Sequence, residues 1–364
     1  MMHEPDVERL QESMTLARVA DTLHQGPAAP TRRTVLRGLL TAAGATALTA
    51  PWGWIPAQAE AKTRSRVVDI SRGKTGVTLK LELAKGPYPG PGGPWKDATT
   101  WVYVPHHFRA IGNHIDTVLH FHGHGSVAEE SMKLHQLREQ LHDSRQNAIL
   151  VIPQGPVRAK SSHFGKLNQP RGLLNFLTDL RKTLQSRDAR RALRNARIQK
   201  STRIGLLCIS AHSGGYRAAA RCAAVGRYDV NEIWLFDSLY GEVNTFCNWI
   251  AERRRSKKMR KRHKLVSYYA GGQVAAANKS LMRALDRLKI DYIHGREGKK
   301  RGELTRAQIT KARVVFIQSR LTHRGVTHDL NNMRDCLYAS CLKRRLKSDW
   351  FKHKNSTRRL EPRN

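Results

Sequence analysis

What most constrains this chain is a repeated pairing of a short, unbroken apolar run with a stretch of helical spacing. "IDTVLHFHGHG" (115–125) leads into 127–143, "NAILVIPQG" (147–155) into "RGLLNFLTDLRKTLQ", and "RIGLLCISAHSGG" (203–215) into "YRAAARCAAVG". "NEIWLFDSLYG" (231–241) leads into "VNTFCNWIAERRR", "KLVSYYAGG" (264–272) into "NKSLMRALDRLK", and "ARVVFIQS" (312–319) into a last helix from about Asp329. Runs of Val, Ile and Leu without polar alternation suit strands buried on both faces, and strand–helix succession implies parallel crossovers. The expected fold class is therefore α/β, a mostly parallel central sheet with helices on both faces. Three further strands precede this region, in "RVVDI", the alternating "GVTLKLEL" and "TTWVYVP", with Gly and Pro of "KGPYPGPGGPWKD" breaking the chain between the last two. The segments 156–169 and 294–311 read as irregular insertions.

With 364 residues and 40% hydrophobic content the chain can bury a large core, which argues against disorder. Its charge is lopsided: 65 Lys and Arg against 29 Asp and Glu leave +36. Residues 1–59 hold five charges of each sign, so the whole excess lies downstream. Such a surface attracts polyanions, and an anionic envelope polymer or lipid surface is an expected partner. Any one of the basic runs at 181–203, 252–264 and 343–359 is equally a solvated face or tail; their number is what favours a polyanion.

At the N-terminus, Arg32 and Arg33 precede an uncharged, weakly hydrophobic segment, Gly38 to Ala50, and Ala57-Gln58-Ala59 supplies the small-x-small pattern of a cleavage site. The segment before Pro51 is too short to span a bilayer, so no stable transmembrane segment is expected in the mature protein. Thr31 to Arg37 resembles the twin-arginine translocation signal, with Val35 and Arg37 in place of its usual Phe and Lys. That resemblance implies export through the twin-arginine translocase to the periplasm or beyond. The expected organisation is a signal peptide at 1–59, one domain at 60–345 and a basic tail at 346–364. Five cysteines, Cys208, Cys222, Cys247, Cys336 and Cys341, are too few and too scattered for a disulfide scaffold and show no zinc spacing.

Chemistry-bearing residues gather at the ends of the expected strands. Ser213 lies on a strand-to-helix turn in Ala211-His212-Ser213-Gly214-Gly215, a G-x-S-x-G pattern with Ala in the first place. A nucleophile on so sharp a turn needs small neighbours, and the following helix aims the Gly214 N–H at any anion formed there. Taken alone, Ser213 reads equally as a helix cap. Gly123, His124 and Gly125, after the strand 115–121, can turn backbone N–H groups inward as the other half of an oxyanion hole. The rival reading is a metal site on alternating His120, His122 and His124, disfavoured because no carboxylate lies between Asp116 and Glu129. Asp237 ends the strand after that of Ser213 and suits the acid of a triad, or a helix cap; the next strand, "KLVSYYAGG", ends without a carboxylate. After the last strand, "LTHRGVTHDLNN" offers His328 as the expected base and His323 as the alternative. His212 is expected to pack against the loop.

Ser, Asp and His in this order at strand ends resemble the α/β-hydrolase superfamily over residues 65 to 345. The resemblance implies an eight-stranded sheet with antiparallel first strands and a serine hydrolase without cofactor or metal, using Ser213, Asp237 and His328 on an ester or acyl substrate. Ala211 for Gly, and an acid one strand earlier than in most members, depart from its pattern. Two alternatives stay open: a non-catalytic polyanion-binding protein on the same scaffold, and a serine peptidase.

Overall fold

The computed structural model describes residues 64–253, 263–297 and 302–347. The twin-arginine motif, the cleavage site, most of the basic run 252–264 and nearly all of the tail lie outside the described residues.

Ten strands form one sheet: β1 (Arg66–Arg72), β2 (Gly76–Glu82), β3 (Thr99–Pro105), β4 (His114–Phe121), β5 (Ile149–Pro153), β6 (Arg203–His212), β7 (Glu232–Phe236), β8 (Lys264–Tyr269), β9 (Ile293–Arg296) and β10 (Val314–Gln318). Their spatial order is β1-β2-β3-β5-β4-β6-β7-β8-β10-β9. The pairs β1/β2, β2/β3 and β3/β5 are antiparallel and every other pair is parallel. The helices are α1 (Ala128–Leu134), α2 (Leu137–Ser144), α3 (Gly172–Leu184), α4 (Arg187–Ala192), α5 (Tyr216–Val225), α6 (Val243–Arg253), α7 (Gly272–Arg287), α8 (Arg306–Lys311) and α9 (Asn332–Tyr338).

The apolar runs become central strands because both their faces are covered. Along β7, Ile233 and Leu235 enter one core with α3, α5, α6 and α7, while Trp234 and Phe236 enter a second with α1, α2, α8 and α9. All four are fully buried, and each contributes about 2–3 kcal/mol of apolar transfer energy. The expected α/β class with helices on both faces is what the structure has. The count of eight strands is corrected to ten. The segment 294–311 is not wholly irregular: it carries most of the short edge strand β9 and all of α8, started by a capping box in which Thr305 Oγ1 accepts from the Gln308 N–H and Gln308 Oε1 from the Thr305 N–H. Within Ile293–Arg296 only Ile293 is a large apolar residue, and His294, Gly295 and Arg296 hide the strand's apolar signal. Among the described residues no helix is long and apolar enough to cross a membrane.

Strands β4, β6, β7, β8 and β10 are parallel, so their carboxyl ends lie at one edge of the sheet. There the chain leaves β6 at Ser213, β7 at Asp237 and β10 towards His323.

Candidate active site

Ser213 follows β6 directly, opens the short turn Ser213–Gly215 and has φ of 51°, a left-handed conformation that side-chain-bearing residues rarely adopt. The turn is possible because its surroundings are small. A Cβ on Gly215 would lie 2.5 Å from the Phe121 carbonyl oxygen, and one on Gly123 would lie 2.7 Å from Ser213 Cβ. The buried face of α5 is Ala218, Ala219, Ala220 and Cys222, which lets the helix start close against the sheet. Ala211, fully buried, takes the first small place of the pattern.

Asp237 also has positive φ, 45°, and is 5% exposed. Its Oδ1 accepts from the Ala270 N–H at 2.9 Å, just past β8, and its Oδ2 accepts from His323 Nδ1 at 2.6 Å. The loop after β8 thus brings a backbone donor to the acid instead of a carboxylate of its own. His323 stays partly exposed at the mouth of the site, with 43% of its side chain accessible. Its backbone is held from beneath by His212, whose Nε2 donates to the His323 carbonyl at 2.9 Å. His212 therefore packs against the loop, as expected from the sequence, and fixes where His323 sits. Burial, against the opposing pull of that carbonyl, lowers the His212 pKa to about 4, so this ring is neutral at pH 7.

His328, the residue expected to act as base, is placed elsewhere. Its Nδ1 lies 3.3 Å from His135 Nδ1 and its Nε2 lies 3.2 Å from Asp329 Oδ1. It follows a turn in which the His328 N–H donates to the Gly325 carbonyl, and this carries it behind the site. The cavity beside Ser213, about 530 Å³, is lined by Gly123, His124, His323, Arg324 and Lys133 among others, but not by His328.

Two peptide groups at this cavity have their carbonyls tied down. The Ser213 carbonyl accepts from Ser238 Oγ at 2.7 Å, and the Gly123 carbonyl accepts from His122 Nδ1 at 2.9 Å. In a trans peptide the N–H points opposite the C=O, so the Gly214 and His124 N–H groups are turned away from those anchors. The Gly125 N–H, expected among the oxyanion donors, is instead taken by the Ala159 carbonyl at 3.0 Å. Gly125 has φ of 67°, so its contribution is to the turn of the chain.

The alternating histidines do not converge on one point. His120 Nδ1 meets Ser210 Oγ at 2.9 Å, His122 Nε2 accepts from the Gly155 N–H at 3.0 Å, and His124 Nε2 meets Ser162 Oγ at 2.8 Å. Among the described residues no group of three or more His, Cys, Asp or Glu is arranged to hold a metal ion. Sequence reasoning missed two residues of the site, Ser238, which bonds the Ser213 carbonyl, and Tyr240, edge-on to His323 at 6.2 Å. Both sit in "DSLYG" beside Asp237, and that proximity is the one signal that could have found them.

No family model and no curated protein matches this chain. Among solved structures it is similar to the feruloyl esterase module from Clostridium thermocellum, with 14% identity, 76% of this chain and 92% of that chain covered and a TM-score of 0.40. It is also similar to a fluorophosphonate-binding serine hydrolase of Staphylococcus aureus (10% identity, 73% and 99% covered, TM-score 0.42) and to an S-formylglutathione hydrolase from Agrobacterium tumefaciens (11%, 75% and 98%, 0.40). Similarities this distant carry no argument about chemistry, which has to come from the residues of the site.

Proposed function

We propose that this protein is a serine hydrolase acting on carboxylic esters or related acyl compounds, with Ser213 as nucleophile, His323 as base in place of His328, and Asp237 as the acid. The observation that carries this reading is that Ser213, on a left-handed strand-to-helix turn, lines the same cavity as His323, whose Nδ1 is held by a buried carboxylate at 2.6 Å.

In this mechanism the Asp237–Nδ1 bond leaves His323 Nε2 as the free acceptor, the tautomer a general base needs. Ser213 Oγ attacks the carbonyl carbon while its proton passes to Nε2. The tetrahedral oxyanion is met by the Gly214 and His124 N–H groups, which the Ser238 and His122 bonds orient. The imidazolium, stabilised by Asp237, protonates the leaving alkoxide, and water attacks the acyl-serine by the same steps in reverse. Neutral His212 keeps the His323 loop in place without adding a second positive charge beneath it.

The +36 excess supports a further part of the proposal, that the enzyme works against an anionic polymer or lipid surface. The leader's resemblance to a twin-arginine signal supports export. A fluorophosphonate probe on the full chain tests the catalytic reading: wild type is expected to label and Ser213→Ala not to. Unlabelled, folded wild type overturns the reading. Retention on heparin that does not weaken with salt would remove the electrostatic part.

A further inference from the structure

Away from the Ser213 cavity, where β7 and β8 begin, the sheet buries a row of groups that ester chemistry does not use. Cys208 on β6 is paired with Glu232 on β7, and Glu232 with Lys264 on β8. Paired residues on neighbouring strands project from the same face. Here that face is the one carrying Trp234, covered by α8, α9 and the chain that follows α9. Glu232 is 3% exposed and Lys264 6%. Lys264 Nζ donates to the carbonyls of Ile309, Thr310 and Ala339, and Glu232 Oε2 accepts from Trp234 Nε1 at 3.1 Å. The remaining oxygen, Oε1, accepts from the Cys341 N–H at 2.6 Å, which brings Cys341 onto the row from outside the sheet.

Cys208 and Cys341 therefore flank one carboxylate, the first as the sheet partner of Glu232 and the second through its N–H, and Cys341 packs against the buried cluster that contains Cys208. Cys208 is fully buried, whereas Cys341 is partly exposed. Cys341 is thus the more accessible residue of the pair, Cys208 is sealed in the sheet, and the Glu232 carboxylate lies beside both. The segment that carries Cys341 is otherwise fastened through backbone bonds from the Asn147 N–H to the Lys343 carbonyl at 2.7 Å and from the Arg345 N–H to the Arg145 carbonyl at 2.8 Å.

We propose that Cys208 and Cys341 are a redox couple that closes a disulfide between β6 and the segment after α9, with Glu232 as the proton acceptor and a small disulfide such as glutathione disulfide as the oxidant. Cys341, passing its proton to Glu232, attacks one sulfur of the oxidant. The S–S bond of the oxidant breaks, one thiolate leaves and a mixed disulfide forms. Glu232 returns the proton to the departing thiolate and takes the next one from Cys208, whose sulfur attacks Cys341 and expels the second thiol. Two protein thiols lose two hydrogens, and one oxidant disulfide becomes two thiols. The carboxyl suits the relay, because burial, only partly offset by Lys264 and the hydrogen bonds it accepts, pushes the Glu232 pKa up to about 7. Burial also raises the Cys208 thiol, so Cys208 resolves the mixed disulfide instead of meeting the oxidant first.

The test incubates the full chain with glutathione disulfide, blocks remaining thiols with N-ethylmaleimide and maps peptides by mass spectrometry without reduction. Expected is a linked peptide pair carrying Cys208 and Cys341, cleaved by dithiothreitol, present in Cys336→Ser and in Ser213→Ala, and absent from Cys341→Ser. The oxidised wild type should also unfold at higher urea than the reduced form, with no such shift in Cys341→Ser. A glutathione adduct stalled on Cys341, a link to Cys336 instead, or both thiols still open to alkylation would each overturn the couple. Because Ser213→Ala is expected to link normally, failure here is separable from failure of the hydrolase reading.

Discussion

Lowering the pH from 7 to 5 should weaken this fold through histidines packed around the Ser213 loop. His122 and His212, 1% and 8% exposed, both have pKa values pushed down to about 4, in each case chiefly by burial and against the pull of a carbonyl each bonds. In the unfolded chain both titrate near the ordinary 6.5. Between these values the unfolded state takes up protons that the folded state refuses. Stability is therefore fully present above about 6.5 and falls as pH drops towards 4. From pH 7 to 5 each ring removes about 2 kcal/mol, or about 4 kcal/mol for the pair. His120 and His135, lowered by burial and by neighbouring imidazoles, act with the same sign. Glu232 opposes them: its folded pKa is raised, so it adds stability as pH falls through 7, about 2 kcal/mol over the same range. The balance is a net loss of about 2 kcal/mol, a sizeable share of the roughly 5–15 kcal/mol that holds a domain folded.

Urea midpoints at pH 7, 6 and 5 measure this loss, and His122→Asn isolates one ring. The amide of Asn can reach the Gly123 carbonyl that Nδ1 holds, but it has no proton to gain. Its overall stability should drop at pH 7 with the Gly155 bond lost, yet its slope between pH 5 and 6 should be shallower than wild type by about 1 kcal/mol per pH unit. Equal slopes in the two proteins would refute the claim that His122 is held neutral by burial.

Three further outcomes follow from the site. His323→Ala should lower kcat by about 10³-fold or more with KM little changed, while His328→Ala, whose partners are His135 and Asp329, should keep most of the turnover; steady-state kinetics on a chromogenic ester decides between them. Ser238→Ala leaves the Ser213 carbonyl held by the Tyr216 N–H alone, so kcat should fall about 10-fold through a less firmly aimed Gly214 N–H, with fluorophosphonate labelling slowed but not abolished. Ser213→Gly should end turnover and raise the melting temperature by a few degrees, since glycine adopts φ of 51° without the roughly 1 kcal/mol cost a side chain incurs there.

The α/β class was legible because every central strand is sealed on both faces, and sealing leaves an unbroken apolar run with no polar alternation to blur it. Strand β9 was not, because it lies at the sheet edge beyond β10, where Ile293 is its one large apolar side chain. In the proposed site, the positions of Ser213 and Asp237 at strand ends were legible in the sequence. The choice between His323 and His328 was not, because the two are five residues apart on a loop and nothing in "LTHRGVTHDLNN" tells which one a turn will carry towards β7. The decision rests on a bond from another element, His212 Nε2 to the His323 carbonyl, together with the Gly325 turn that sends His328 back towards His135.

The same dependence on distant anchors governs the proposed oxyanion donors. A Gly-rich loop supplies several N–H groups, and composition cannot say which one is free to face the substrate. What decides is which carbonyls are already held: Ala159 takes the Gly125 N–H, while His122 and Ser238 hold the Gly123 and Ser213 carbonyls and so direct the N–H groups of His124 and Gly214. Those anchors also bear on strain. Ser213 and Asp237 sit at consecutive strand ends with φ of 51° and 45°, each costing about 1–3 kcal/mol. Such backbone persists where several bonds fix it at once, and here Ser238 holds one while Ala270 and His323 hold the other. The strain and the donors are thus maintained by one network, so loosening any anchor is expected to cost rate before it costs fold.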